Sequence, residues 1–99
     1  MVQSAAPIPL SILVVDDEIN IRKTVTLSLQ SDGHHVVAVG NVRDALSEAA
    51  GRNFDMAFVD LRLGSETGLD LLPRLLAESP WLKIAVITAH ASIETRSKP

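Results

Sequence analysis

Four short runs of almost uninterrupted apolar residues punctuate the chain: Ile12-Leu13-Val14-Val15, Val36-Val37-Ala38-Val39, Met56-Ala57-Phe58-Val59 and Ile84-Ala85-Val86-Ile87. They are rich in β-branched or aromatic side chains, and none alternates with polar residues. A strand with one wet face would alternate. Strands covered on both faces do not, and such strands are usually parallel. The intervals hold 20, 16 and 24 residues (16–35, 40–55 and 60–83), enough for the dozen or so residues that a parallel crossover needs.

Each interval carries helical period. Val42, Ala45, Leu46, Ala49 and Ala50 recur at i, i+3, i+4, i+7 and i+8, one apolar stripe. Asn41 before them predicts an N-cap and Gly51 after them a stop. Ile21, Val25 and Leu29 form a second stripe, which Gly33 closes. In the third interval Leu69, Leu72 and Leu76 share a face, with Leu71 and Leu75 beside it. Pro73 removes a backbone donor from the middle of that segment and predicts a kink or weak point, and Pro80 ends it. The order β-α-β-α-β-α-β predicts a doubly wound α/β parallel sheet. His90 to Thr95 suits the opening of a further helix, with no fifth strand after it.

Open parallel sheets place their ligands beyond the carboxyl ends of the strands, so the residues that follow each run matter most. Asp16, Asp17 and Glu18 follow the first run, Asp60 the third and Thr88 the fourth; Gly40 and Asn41 follow the second and bring no charge. Crowded carboxylates repel one another, and a hard divalent cation such as Mg²⁺ relieves that repulsion with carboxylate, water and phosphate oxygens. A carboxylate can also serve as a nucleophile toward phosphorus, and a threonine can donate to a phosphoryl oxygen. Taken singly, each residue has a plain structural use: acidic residues at a helix start, an aspartate opening a turn, a threonine capping a helix. Together at three strand ends they point to a Mg²⁺-dependent phosphoryl site.

Composition narrows the picture. With 99 residues the chain predicts one domain. Its 46% hydrophobic content argues for a packed core rather than disorder. Nine Lys and Arg against 12 Asp and Glu give a net charge of −3, which does not suggest a nucleic-acid surface. There is no Cys, so disulfides and thiolate metal sites are excluded. No apolar run approaches the length of a membrane span. Residues 1–10 carry no Lys or Arg, but do carry Pro7 and Pro9; they predict an extended leader rather than a signal peptide.

Three segments resemble the receiver domain of two-component response regulators: Ile12 through Glu18; Phe58-Val59-Asp60-Leu61-Arg62-Leu63 with Gly68-Leu69-Asp70-Leu71-Leu72; and Val86-Ile87-Thr88-Ala89. The resemblance covers residues 11–95, with 96–99 as a tail. The wording of Asp60 to Gly64 and of Thr88 to Thr95 is similar to receivers of the nitrogen-regulation type, which precede an ATPase domain and a DNA-binding domain and activate transcription with the alternative sigma factor. The resemblance implies a flavodoxin-like, CheY-like sheet of strand order 2-1-3-4. It also implies roles. Asp60 is the phosphoacceptor, taking a phosphoryl group from a sensor histidine kinase. Asp17 ligates Mg²⁺ directly and Asp16 partly through water, while the main-chain carbonyl of Arg62 supplies another oxygen. Thr88 binds a phosphoryl oxygen, and Ala89 leaves the group room.

The family also carries a Lys followed by Pro at the end of a fifth strand. Lys98-Pro99 copies the dipeptide, but residues 89–97 are too few for a helix and a strand. The expectation is a shortened receiver without the fifth strand and last helix. Its fourth strand would then be a bare edge, which invites pairing with a second copy. His34 and His35 fall away from the carboxyl rim; His90 falls near Thr88; Trp81 is expected to cover an end of the core. The leading reading is a cytoplasmic phosphorylation switch, not a turnover enzyme, that controls a transcription-regulating output domain and has no direct contact with nucleic acid or membrane. A non-phosphorylated scaffold of the same fold is the alternative. A Mg²⁺ phosphohydrolase is disfavoured, because Asp16-Asp17-Glu18 lacks the Asp-x-Asp spacing of that class.

Overall fold

The computed structural model of the protein describes residues 8–64 and 66–87. In chain order its elements are β1 (Ser11–Val15), α1 (Ile19–Ser31), β2 (His35–Val39), α2 (Val42–Gly51), β3 (Met56–Asp60), β4 (Arg62–Leu63), β5 (Glu66–Thr67), α3 (Gly68–Glu78) and β6 (Lys83–Ile87). Four strands form one parallel sheet in the order β2-β1-β3-β6. This is the order 2-1-3-4 that the resemblance implies, and its four strands are the four apolar runs, with β6 as the fourth. No fifth parallel strand occurs among the described residues. The expectations for residues 88–99, including Thr88, Ala89, His90 and Lys98, fall outside the described residues, as do those for residues 1–7.

Burial follows position in the sheet. Ile12, Leu13, Val14 and Val15 of the central β1 are at most 1% exposed, because neighbours flank the strand on both edges and helices cover both faces. The edge strand β2 is only half-buried. On one face Leu13, Val15, Ala57 and Val59 pack against Val42, Ala45 and Ala49 of α2 and Leu71 and Leu75 of α3, with Phe54, Leu63 and Leu82 closing the cluster. Full burial of such a side chain contributes about 1.5–3 kcal/mol. On the other face α1 packs on β1 and β2.

Asn41 caps α2 as predicted, its side chain accepting from the Asp44 amide at 2.8 Å. Ala50, the last member of that stripe, is exposed. In α1, Val25 and Leu29 are half-buried while Ile21 is exposed, and the helix buries no residue fully. The third helix departs most from its predicted stripe. Leu71 and Leu75 are fully buried, whereas Leu69 is 59% and Leu76 40% exposed. The phase is set at the first residue. Gly68 is buried, and a Cβ there would run into the carbonyl oxygen of Asp60. Gly68, Leu71 and Leu75 lie at i, i+3 and i+7, so a helix that begins against the Asp60 backbone turns that face inward. Pro73 does not interrupt the helix, which runs unbroken to Glu78. The residue is exposed, and the carbonyl left without its partner belongs to exposed Leu69.

Trp81 is 57% exposed rather than buried over the core, yet its Nε1 donates to the Phe54 carbonyl at 3.2 Å and ties the approach to β6 to that of β3. His34 accepts from the Leu10 amide through Nδ1 at 3.0 Å, at the end of the sheet opposite the carboxyl rim.

The two leucine faces of α3 give a direct test. Leu71→Ala is expected to destabilise the fold by about 2–5 kcal/mol, and Leu69→Ala by no more than about 0.5 kcal/mol, measured by urea unfolding. Equal losses would contradict this helix phase.

Candidate functional site

The site begins with strand register. Val15 of β1 pairs with Val59 of β3, so the next residue on each chain, Asp16 and Asp60, emerges at neighbouring positions of the carboxyl edge. Asp16 extends the ladder to the other side as well, its amide donating to the Val39 carbonyl at 3.0 Å. It is 1% exposed. Its Oδ1 accepts from the Glu18 amide at 2.9 Å, which folds the chain into α1. Asp17 is exposed, and its Oδ2 accepts from the Gly64 amide at 2.8 Å. Asp60 is half-buried, and its Oδ1 accepts from the Arg62 amide at 3.1 Å.

Asp16, Asp17 and Asp60 thus converge, each offering an oxygen within 4.8 Å of the others. Glu18 does not join them: its residue is the N-cap of α1, and no acidic residue lies in the first turn of that helix. The acidic run therefore serves the strand edge more than the helix dipole. Arg62 is exposed, with its backbone in the small β4-β5 ladder opposite Thr67.

Two glycines shape the loop after Asp60, and the strand-end reading assigns neither a role. Gly64 has φ of +65°, which turns its amide toward Asp17. Gly68 brings α3 against the Asp60 carbonyl and donates its own amide to Leu61 at 2.8 Å. The sequence signal was a pair of glycines four residues apart after a strand-end aspartate. What that pair does depends on φ and on backbone approach, neither of which a hydrophobicity pattern carries.

The three carboxylates crowd like charge at this edge of the sheet. Burial raises the pKa of Asp16 above the ordinary aspartate value, opposed by the Glu18 amide and reinforced by the charge and hydrogen bonding of Asp60 and by the charge of Asp17. Hard carboxylate oxygens, held by main-chain amides and lacking soft or nitrogen donors, fit an oxygen-seeking divalent cation such as Mg²⁺.

The raised pKa fixes a sign. The folded protein holds the Asp16 proton more tightly than the unfolded chain does, so ionisation of Asp16 costs stability as pH rises above the ordinary value. Asp16→Asn keeps an oxygen for the Glu18 amide and removes the charge. In EDTA near neutral pH it is expected to raise the melting temperature by a few degrees, with the gain shrinking as pH falls toward about 4. A lower melting temperature than wild type under those conditions would show that the buried Asp16 charge does not destabilise the fold.

The description "response regulator receiver domain" matches residues 12–98. The alginate biosynthesis transcriptional regulatory protein AlgB of Pseudomonas putida is 37% identical over 84 residues, covering 85% of this chain and 19% of AlgB. The chain therefore spans about a fifth of that relative's length. The crystal structure of NtrX from Brucella abortus in complex with ATP superposes with a TM-score of 0.81 at 33% identity, over 90% of this chain and 21% of that one. A response regulator from Burkholderia pseudomallei, crystallised with a phosphorylated aspartic acid, calcium ion and citrate, superposes with a TM-score of 0.76 at 27% identity, over 88% of this chain and 54% of that one. Acidic strand ends, parallel order and these matches agree: the chain belongs to the response regulator receiver family, and its relatives are regulators of the NtrC type.

Proposed function

We propose that this domain is a phosphorylation switch in which Asp60 accepts a phosphoryl group from a phosphohistidine of a sensor histidine kinase. The observation that carries the reading is the convergence of Asp16 and Asp17 on Asp60 at the carboxyl edge of the sheet. A carboxylate oxygen of Asp60 attacks phosphorus and forms an acyl phosphate. The phosphorus–nitrogen bond breaks, and the imidazole leaves with that electron pair. The protein's part is positioning: the Arg62 amide holds Oδ1 of Asp60 and presents the carboxylate in a fixed orientation.

Asp17 would hold Mg²⁺ directly and Asp16 partly through water, with the main-chain carbonyl of Arg62 as a further oxygen. When bound, the cation neutralises the charge that gathers on the phosphoryl oxygens. Thr88 would donate to a phosphoryl oxygen, and the small Ala89 would leave it space. The Burkholderia relative carries a phosphorylated aspartate, which supports the same assignment for Asp60. The names of its relatives support regulation of transcription as the output, through a domain beyond this chain, and the reading places the domain in the cytoplasm. No helix of the described residues is long and apolar enough to cross a membrane. A homodimer through the receiver belongs to the same reading.

Acetyl phosphate with Mg²⁺, read by intact mass, tests the chemistry. Wild type is expected to gain one phosphoryl group in a metal-dependent reaction, and Asp60→Asn none. A folded, Mg²⁺-binding wild type that gains nothing would leave only a scaffold of the same fold. Sedimentation at tens of micromolar is expected to show self-association; a clean monomer would remove the homodimer.

A further inference from the structure

The acidic site has a brace that lies outside its carboxylates. Arg22, in the first turn of α1, reaches back to the strand edge, and its Nη1 donates to the main-chain carbonyl of Asp16 at 2.8 Å. Its own amide makes the first bond of the helix, to the Glu18 carbonyl at 2.9 Å. The guanidinium reaches that carbonyl across Gly40, the residue that leaves β2. A Cβ on Gly40 would lie 2.6 Å from Nη1 and 3.6 Å from Cζ of Arg22. Any side chain there would displace the guanidinium.

The contact matters because of which carbonyl it holds. The Asp16 amide continues the parallel ladder to Val39, but the partner strand ends and turns away at Gly40, so the ladder supplies no donor for the Asp16 carbonyl. Arg22 supplies it. The Asp16 backbone is then held on both sides of its Cα, by β2 on its amide and by α1 on its carbonyl, while the Glu18 amide holds its side chain. Three carboxylates within 4.8 Å push one another apart, and residues 16–18, the short link between β1 and α1, bear that push.

We propose that Arg22, lying across Gly40, is a positioning residue for the cation site: it holds the Asp16 backbone so that Asp16 and Asp17 stay convergent on Asp60. This rests on the Mg²⁺ reading above. Arg22 touches neither the cation nor the phosphoryl group in this account. It acts through the main chain of Asp16, and Gly40 acts through Arg22.

Two variants remove the same contact from opposite sides. Arg22→Ala deletes the donor, and Gly40→Ala fills the space it crosses while leaving the arginine in place. Mg²⁺ titration by calorimetry and amide hydrogen exchange at Glu18 in EDTA read the outcome. Each variant is expected to weaken Mg²⁺ binding by about tenfold and to lower protection of the Glu18 amide. The double variant is expected to be no worse than either single one, because both remove one interaction. Arg22→Lys, which keeps a donor on a shorter reach, is expected to recover part of the affinity. Folded variants with wild-type Mg²⁺ affinity and wild-type Glu18 protection would overturn the proposal, as would losses that add in the double variant. Asp17→Asn separates the two readings. If wild type shows no saturable Mg²⁺ binding that Asp17→Asn abolishes, the cation reading fails, and Glu18 protection alone decides whether Arg22 braces the loop.

Discussion

The register between β1 and β3 is the constraint on which the rest depends. Each strand is five residues long, and the pairing of Val15 with Val59 brings Asp16 beside Asp60. A slip of one residue would turn the buried side chains of one strand to the wrong face. It would also move one carboxylate away from the other by a full step along the strand, about 3.3 Å. The same apolar contacts that make β1 the most buried strand therefore bring two like charges together. The repulsion at the carboxyl edge is a by-product of the core and is held in place by it.

What holds the charges, given that register, is a set of neutral donors from separate elements. Asp16 takes its amide from the start of α1, Asp17 from the turn at Gly64, and Asp60 from Arg62. Among the described residues the ion pair shown, Arg52 with Glu48, is on the exposed face of α2, away from the site. Amide donors orient a carboxylate without cancelling its charge. Such donors fix where the three oxygens point while their like charges still repel.

The sequence revealed the strands and the strand-end residues because both are written in side-chain chemistry. Uninterrupted β-branched runs mark buried parallel strands, and aspartates directly after two of them mark the rim. The rest is written in backbone geometry. Leu69, Leu71, Leu72, Leu75 and Leu76 offer two overlapping stripes, and leucine spacing alone does not choose between them. The choice falls to Gly68, which fits against the Asp60 carbonyl where no Cβ would. Pro73 reads as a break, yet the helix runs through it, with Pro73 and Leu69 four residues earlier both exposed. The Gly64 amide reaches Asp17 across 47 residues of chain, and neither residue hints at the other.

Arg22 shows the same limit in its sharpest form. By pattern it is one more charge on an amphipathic helix, and Gly40 is one more loop glycine. Their meaning arises only when β1 and β2 are paired, because only then does the ladder run out at the Asp16 carbonyl. A parallel sheet leaves such unpaired groups wherever a strand outruns its neighbour, and at the carboxyl edge they fall next to the functional residues. The donors that satisfy them are then placed to govern the site without entering it. In this domain the first helix packs on the sheet and, through one arginine, also bonds the carbonyl of the residue that follows the strand before it. A change in how α1 sits on β1 and β2 would therefore reach the carboxylates through two bonds to Asp16, from the Glu18 amide to its side chain and from Arg22 to its carbonyl, even with every acidic side chain intact.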